Sequence, residues 1–473
     1  MLTRPRLAPP RSARSAAGLS TAGLATVLLG AFLPSLDFFI VNVALPTIGH
    51  DLAAGPAVLE LIAAGYGITF AVLLVLGGRL GDAVGRRRLF LYGAAAFALT
   101  SLVCGLAPNA WSLVAGRAAQ GAAAALLIPQ VLATITAATD GHRRARALSV
   151  YGAVGGLAVV IGQVLGGMLV AADLFGTGWR SVFLLNVPFA LLAVLLALRH
   201  VPENRAERAT GVDLPGTALL TAGLLSLFVP LMEGRALGWP VWCWALLAAF
   251  PFLASAFVLV ELRTERAGAV PLLPFSLLRL PEMRRGLGIA LPYFAGFGGF
   301  MFVIAVLLQQ GLELGPVTAG LALVPMAVGY FCASLSGPRL IGRFGSRVIT
   351  VGAVVQAVGL TTLAGTALTA GLTPVLMIPG VALAGIGQGL IGTPLFRVVL
   401  SRVPAARAGV GSGVLATTQQ SSLALGVATL GTLYLTLAPS LGYARALAVV
   451  LALQVGGSAA VLLLSLRLPR SVA

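Results

Sequence analysis

Long apolar stretches fill this chain from near its start to near its end, and the short connections between them hold almost every charge. Fourteen such stretches are readable, at roughly 19–45, 57–78, 89–107, 111–137, 147–171, 181–199, 214–232, 240–262, 286–312, 318–338, 348–369, 373–396, 409–434 and 443–466. Each approaches or exceeds the ~20 residues that a helix needs to cross about 30 Å of hydrocarbon. The pattern predicts an all-α membrane protein with fourteen transmembrane helices.

Composition narrows the alternatives. Charged residues are 10% of 473 positions and the mean hydropathy is +0.99. No soluble core of this size could hide so much apolar surface from water. The net charge of +17 would fit nucleic acid in a soluble protein, but here the basic residues form short clusters between apolar spans. All are arginine, and apart from Arg117, Arg180, Arg235 and Arg445 they fall in the two tails or in alternate loops. By the positive-inside rule both termini are expected in the cytoplasm of the cell whose inner membrane the chain spans many times. An even number of crossings requires the same. Trp111, Trp179, Trp239, Trp242 and Trp244 all fall at the expected outer ends, where an amphipathic ring favours the interface. Cys104, Cys243 and Cys332 lie in apolar spans without paired spacing and read as core packing. The basic start and the apolar run behind it read as an uncleaved first helix, since the run is too long for a signal segment and carries Asp37.

A shift of 260 positions lays Gly77, Arg79, Leu80, Gly85 and Arg87 on Gly337, Arg339, Leu340, Gly345 and Arg347. It carries the second span onto the tenth. The expected organisation is a basic cytoplasmic N-tail over 1–18 and a six-helix bundle over 19–200. Linkers with two extra helices follow over 201–285, then a second six-helix bundle over 286–466 and a C-tail over 467–473. Two repeated bundles with a midplane cavity are the architecture of an alternating-access carrier.

Asp37 lies inside the first span, where an ionisable group costs several kcal/mol, on the order of the translocon scales, unless it is paired or faces water. Arg117 lies about six residues, or ~9 Å, from the outer end of the fourth span, and Asp37 about eight residues, or ~12 Å, from the outer end of the first. At matching depths the two are expected to share one site, either as a proton-coupling pair facing an outer-half cavity or as a permanent ion pair. Glu60 is a second acidic candidate, and Glu313 is either a third or a boundary residue. The histidines, His50, His142 and His200, are all in loops, so a proton path falls to carboxylates. The loop from Gly78 through Asp82, Gly85 and Arg86 reads as a conformational latch, with glycines permitting a tight turn and Asp82 accepting from arginines or a helix N-terminus. Substrate contacts are expected from Asn42, Tyr66, Phe70, Gln120, Phe297 and Gln419, with Tyr293, Phe294 and Phe300 as further aromatic candidates. The fifth span carries glycine pairs at Gly152/Gly156 and Gly162/Gly166, with Gly167 beside them, suited to close helix contact. The chain has no lysine and no cysteine–histidine cluster, so a Walker lysine, a Schiff base and a zinc centre are all excluded, and no cofactor is expected.

These segments resemble the major facilitator superfamily, and within it the fourteen-helix drug:proton antiporter family. Leu36 to Pro46 is similar to that family's first-helix signature with its acidic residue, and Gly78 to Leu89 to the loop motif shared across the superfamily. Leu113 to Gly121 resembles the fourth-helix motif whose arginine is associated with proton coupling. Gly178 to Pro188 and Gly409 to Gln420 also look like this branch. In the fifth span Gly162-Gln163 stands where the antiporter signature has Gly-Pro, which removes an expected kink. The resemblance implies the major facilitator fold and a monomeric, proton-coupled exporter of small, largely apolar organic solutes. A carrier dedicated to one metabolite, in either direction, and a non-transporting membrane sensor are the alternatives. Its partners would be substrate, protons and membrane lipid, without nucleic acid.

Overall fold

The computed structural model describes residues 18–173, 176–203, 213–234, 237–269, 271–403 and 408–468, and among these no strand occurs. The basic N-tail, most of the first linker and Arg235 lie outside the described residues.

The first bundle runs through α1 (Thr21–Asp51), α2 (Pro56–Val84), α3 (Arg86–Gly105), α4 (Ala110–Ala138), α5 (Gly141–Ala172), α6 (Arg180–Leu184) and α7 (Asn186–His200). Two further helices follow, α8 (Leu214–Glu233) and α9 (Val241–Arg266), then the short α10 (Phe275–Leu278). The second bundle comprises α11 (Pro281–Val306), α12 (Pro316–Ala322), α13 (Val324–Phe344), α14 (Arg347–Thr369), α15 (Pro374–Leu400), α16 (Ala408–Gly426), α17 (Thr432–Leu441) and α18 (Tyr443–Ser465). Several expected spans are broken into pieces: α6 and α7 make the sixth, α12 and α13 the tenth, and π turns at Leu307–Gly311 and Val427–Gly431 interrupt the ninth and thirteenth. Thirteen helices among the described residues are long and apolar enough to cross a membrane. The fifth expected span corresponds to α5, 32 residues long.

Local chemistry sets the helix ends. Ser20 caps α1 by accepting from the Gly23 N–H at 3.0 Å, and Asn109 and Ser112 form a reciprocal capping box on α4. Proline opens α2, α11, α12 and α15, where its missing N–H is not needed. Gly85 (φ 113°) and Gly345 (φ 61°), two positions matched by the 260-residue shift, make the tight turns from α2 to α3 and from α13 toward α14. A side chain is strained at both.

Packing follows the glycines. In the first bundle a Cβ at Gly121 would stand 2.3 Å from the Tyr66 carbonyl oxygen, and in the second a Cβ at Gly385 would stand 2.2 Å from that of Met326. Thus α4 meets α2, and α15 meets α13, backbone against backbone at corresponding depths. Between the bundles, α5 packs on α12, α13 and α15, and α2 packs on α16. Helix α8 leans on α2, while α9 packs mainly on α8 and exposes Val241, Trp244 and Phe252.

Tryptophan and cysteine depart from their expected settings. Trp111, Trp242 and Trp244 are exposed near helix ends, but Trp179 is 1% exposed. It packs edge-on to Phe183 and donates from Nε1 to Asp51 at 2.9 Å; its indole finds a polar partner inside the protein rather than at the lipid boundary. Cys332 is exposed on α13 and is not core packing, whereas Cys104 and Cys243 are buried.

Candidate functional site

Asp37 on α1 and Arg117 on α4 meet in an ion pair of 2.5 Å, with both side chains 0% exposed. The pair is embedded in neutral donors and acceptors. Asp37 Oδ1 accepts from Gln120 Nε2 at 3.0 Å and from Asn186 Nδ2, on α7, at 2.6 Å. Arg117 also donates to Gln120 Oε1 at 2.7 Å and to the Ile62 carbonyl on α2 at 3.2 Å. Gln120 Nε2 donates in turn to Ser101 on α3 at 2.7 Å. Five helices therefore hold one carboxylate–guanidinium pair. A charge so deep in low dielectric persists only when paired and hydrogen-bonded.

The guanidinium lies over the Tyr66 ring, 4.4 Å from its centre. Tyr66 donates its hydroxyl to the Pro34 carbonyl at 2.9 Å and packs against Phe38 and Phe70, each ring centre 5.9 Å away. Pro34, Phe38 and Phe70 belong to the wall of a cavity between the two bundles. The ion pair thus sits one layer of side chains behind that wall, with Tyr66 between.

The cavity has a volume of about 80 Å³. Its aromatic wall comes from both bundles, with Phe38, Phe39, Phe70 and Tyr151 on one side and Tyr293, Phe294, Phe297, Tyr330 and Phe396 on the other. Gln419 and Gln420 add two amides, and among the described residues no arginine or carboxylate lines it. Pockets that hold drug-sized ligands are usually on the order of 300–1,000 Å³, so the cavity is narrowed here. Toward the arginine-rich loops, Tyr151 meets Phe396 edge-on at 5.4 Å and Gly152 abuts Thr393. Toward the opposite face, Val164 of α5 packs against Gly320 of α12, and Phe39 joins the second bundle's apolar cluster around Phe300 and Met301.

The substrate-contact expectations divide accordingly. Phe70, Phe297 and Gln419 line the cavity, as do Tyr293 and Phe294. Gln120 and Tyr66 belong to the ion-pair network, Phe300 is buried within the second bundle, and Asn42 is exposed on α1 outside the lining. Glu60 falls in α2, but its side chain lies outside what is described. Glu313 is exposed, at φ 53° in the turn after α11. Gln420, one of the polar residues that the thirteenth span places at membrane depth, lines the cavity beside Gln419. Sequence reasoning did not assign Asn186, Ser101, Tyr151, Tyr330 or Phe396 to either place; only the isolated polar groups in apolar runs at Ser101 and Asn186 offered a signal.

The loop motif forms a separate cluster at the end of α2. Asp82 accepts from Arg86 at 2.9 Å, both side chains being 3% exposed, and from the Val410 N–H near the start of α16. Gly78 is buried beside Gly413 of α16, and Gly85 makes the turn. One carboxylate thereby joins the α2–α3 turn to the N-terminus of a helix in the other bundle. On α5, the two glycine pairs serve different neighbours. Gly162 and Gly166 press on Leu36 and Ile40 of α1, while Gly152 and Gly156 press on Thr393 and Tyr330 of the second bundle; Gly167 is buried. At the opposite face, Asp51 accepts from Trp179 and from Arg180 at 2.7 Å. These two hydrogen bonds hold its carboxyl below the usual range.

The profile described as Major Facilitator Superfamily matches residues 27–427. Among curated proteins, the chain is 41% identical over 86% of its length to a probable actinorhodin transporter of Streptomyces coelicolor, covering 71% of that protein. It is 38% identical over 84% of its length to the cephamycin export protein CmcT of Amycolatopsis lactamdurans, covering 82% of it. It is 36% identical over 86% of its length to the puromycin resistance protein pur8 of Streptomyces alboniger, covering 80%. Among solved structures, the proton:xylose symporter XylE superposes with a TM-score of 0.64 at 16% identity, over 93% of this chain and 94% of that one. The human organic anion transporter MFSD10 gives 0.65 at 16% identity, over 93% and 99%; both likenesses concern the fold alone. With two helical bundles packed around a small central cavity and a family match spanning most of its length, the chain belongs to the Major Facilitator Superfamily and is a multi-pass membrane transporter of that fold.

Proposed function

We propose that this protein is a proton-coupled antiporter that exports drugs or other small, largely apolar organic solutes across the cell membrane, with both termini in the cytoplasm. The observation that carries the reading is the buried Asp37–Arg117 pair directly behind an aromatic cavity at the bundle interface. The relatives named for export or resistance support the outward direction. Solute would enter when the arginine-rich mouth opens, stack on the rings and leave through the opposite mouth.

Asp37 is the proton carrier in this scheme. Its carboxylate is bonded to Arg117 and two amides, so proton exchange in this scheme accompanies a movement of α4 against α1 that breaks those contacts. Arg117 tunes that step and passes it to the cavity through Tyr66. Glu60 is a secondary acidic contact, and Asp82 with Gly78, Gly85 and Arg86 is the latch that holds the cytoplasmic side shut. The helix-5 pairs at Gly162, Gly166 and Gly167 let α5 slide on α1 as the bundles rock. A proton descending one pH unit supplies about 1.4 kcal/mol, and each charge crossing 100 mV about 2.3 kcal/mol, enough for a substantial solute gradient. The protein would work as a monomer, with substrate, protons and lipid as its partners and without a cofactor.

Everted vesicles energised by a proton gradient test this. Wild type accumulates a fluorescent aromatic solute and Asp37→Asn, at equal expression, does not; full coupling in the variant overturns the assignment. A carrier dedicated to one metabolite is the second reading, favoured by the relative named for a single compound, actinorhodin. A competition panel separates the two, since a dedicated carrier is inhibited by one chemical class only.

A further inference from the structure

Helix α9 is largely exposed, and Glu261, near its end, is one of three buried residues among its 26. Its side chain is 0% exposed. Glu261 Oε2 accepts from the Leu273 N–H at 2.7 Å. Its other oxygen, Oε1, receives no N–H or hydroxyl hydrogen from any described residue. That oxygen points over Gly216 toward Asp213, and both carboxyls crowd the site that a Cβ on Gly216 would fill, at 2.1 Å from Glu261 Oε1 and 2.8 Å from Asp213 Oδ2. The two carboxyl groups therefore face each other across Gly216. Two carboxylates so placed repel, because neither has a hydrogen to give; they can share a hydrogen bond only if one of them keeps its proton.

The pair is tied to the loop motif. Asp213 caps α8, accepting from the Gly216 N–H at 2.8 Å, and its second oxygen accepts from the Leu272 N–H at 3.2 Å. The Leu272 carbonyl, on the other side of the same residue, receives Arg79 Nε at 3.1 Å and NH2 at 2.9 Å. Arg79 is 3% exposed on α2, three residues before Asp82. The strand of chain at Leu272 and Leu273 is thus gripped by two acids from α8 and α9 and by an arginine from α2.

We propose that Asp213 and Glu261 form a proton-binding site, distinct from Asp37, whose shared proton holds the two accessory helices onto the gate end of α2. With the proton bound, Glu261 donates to Asp213 and the Leu272–Leu273 segment is clasped, so Arg79 keeps its acceptor. When the proton leaves, two adjacent negative charges repel in a buried site and the clasp loosens. The charged groups facing it among the described residues are Arg79 from α2, bonded to the Leu272 carbonyl, and Glu265 on α9, whose carboxylate is turned to the Ser276 N–H at 3.1 Å. Arg263 and Arg266 lie on the same helix. Protonation from the arginine-rich side therefore shuts the gate, and deprotonation frees α2 to move.

The test is amide hydrogen exchange of Leu272 and Leu273 in detergent-solubilised full-length protein, corrected for the intrinsic pH dependence of exchange and run from pH 5 to pH 9. Wild type should lose tenfold or more protection there as pH rises. In Glu261→Gln, whose amide donates to Asp213 at every pH, protection should stay constant. Asp213→Asn, which retains the cap on α8, should do the same and serves if the first variant fails to fold. Infrared difference spectra between the two pH extremes should show a protonated carboxyl band in wild type that both variants lack. Asp37→Asn must retain the pH response in both readouts, which separates this site from the transport assignment. The proposal is overturned if protection at Leu272 and Leu273 is independent of pH in wild type, or if either variant keeps the wild-type response.

Discussion

Neutralising Asp37 and Arg117 together should be far less damaging to stability than neutralising either alone. Asp37→Asn leaves the guanidinium of a 0% exposed arginine without its counter-charge, and truncating one partner of a buried pair costs about 3–5 kcal/mol. The Ile62 carbonyl, the Gln120 oxygen and the Tyr66 face still hold that cation, so the cost falls near the lower end, ~3 kcal/mol. Arg117→Met leaves the carboxylate with its two amide donors from Gln120 and Asn186, again ~3 kcal/mol. In the double variant no unpaired charge remains. The introduced amide oxygen still accepts from Gln120 and Asn186, and methionine fills the space above Tyr66, leaving a loss of ~1–2 kcal/mol. The double-mutant cycle should give a coupling of about 4 kcal/mol, against the ~0.5 kcal/mol within which independent sites add. Reversible unfolding in mixed micelles, read by circular dichroism, measures all four corners. Efflux in vesicles from the double variant should remain absent, because restored packing does not restore a proton acceptor. A coupling below ~0.5 kcal/mol would refute the view that the two charges are held for each other.

Three further outcomes follow from the geometry. Gly155 lines the cavity and has open space where a side chain would stand, so Gly155→Leu should fold as wild type does and lower solute flux at least tenfold in vesicle assays. A Cβ at Gly121 would meet the Tyr66 carbonyl at 2.3 Å, so Gly121→Ala should force α2 from α4 and destabilise by about 1–3 kcal/mol in the same micelle unfolding. Asp51 is held below its usual range by Trp179 and Arg180, so its tie is fully present above pH 3.8 and is lost as pH falls through the lower folded value. In a variant retaining Trp179 as its one tryptophan, fluorescence should change below pH 3.8, and Asp51→Asn should remove that step.

How far the sequence could be read depended on the cost each residue would incur in lipid. Asp37 and Arg117 stood out because an unpaired charge there is expensive, and their depths along two helices were enough to bring them together. Asn186 and Ser101 are neutral and inexpensive, so they gave weak signals although both contact the same network. Gln120 and Tyr66 illustrate a different limit. A membrane helix is apolar on its lipid face and on its protein face alike, so its pattern does not fix its rotation. A polar or aromatic group therefore reads the same whether it lines a cavity or lies behind its wall. Helix-end cues were also incomplete: Trp179, at a helix end, is buried against Asp51, and Glu261, near the end of α9, is buried beside Asp213 at the start of α8.

Separating the charge from the cavity has a consequence for coupling. A substrate that touched Asp37 directly would compete with the proton for one carboxylate, which restricts the cargo to cations. Here the wall in front of Asp37 consists of rings and amides, and contact between the sites runs through Tyr66, stacked on Arg117 and bonded to the Pro34 carbonyl. In the proposed scheme a proton on Asp37 would release Arg117, the cation would shift on the Tyr66 face, and Pro34, Phe38 and Phe70 would move with that ring. Coupling would then act through the shape of an uncharged cavity, requiring only that the two arrangements of Tyr66 bind solute with different affinity. On that scheme neutral aromatic solutes would suit the carrier as well as cationic ones. Tyr66→Phe isolates the link, since it deletes the hydrogen bond to Pro34 while keeping the stacked ring. It should preserve solute binding, measured by quenching in purified protein, and weaken its dependence on pH. Unchanged pH dependence in that variant would place the route between proton and cargo elsewhere.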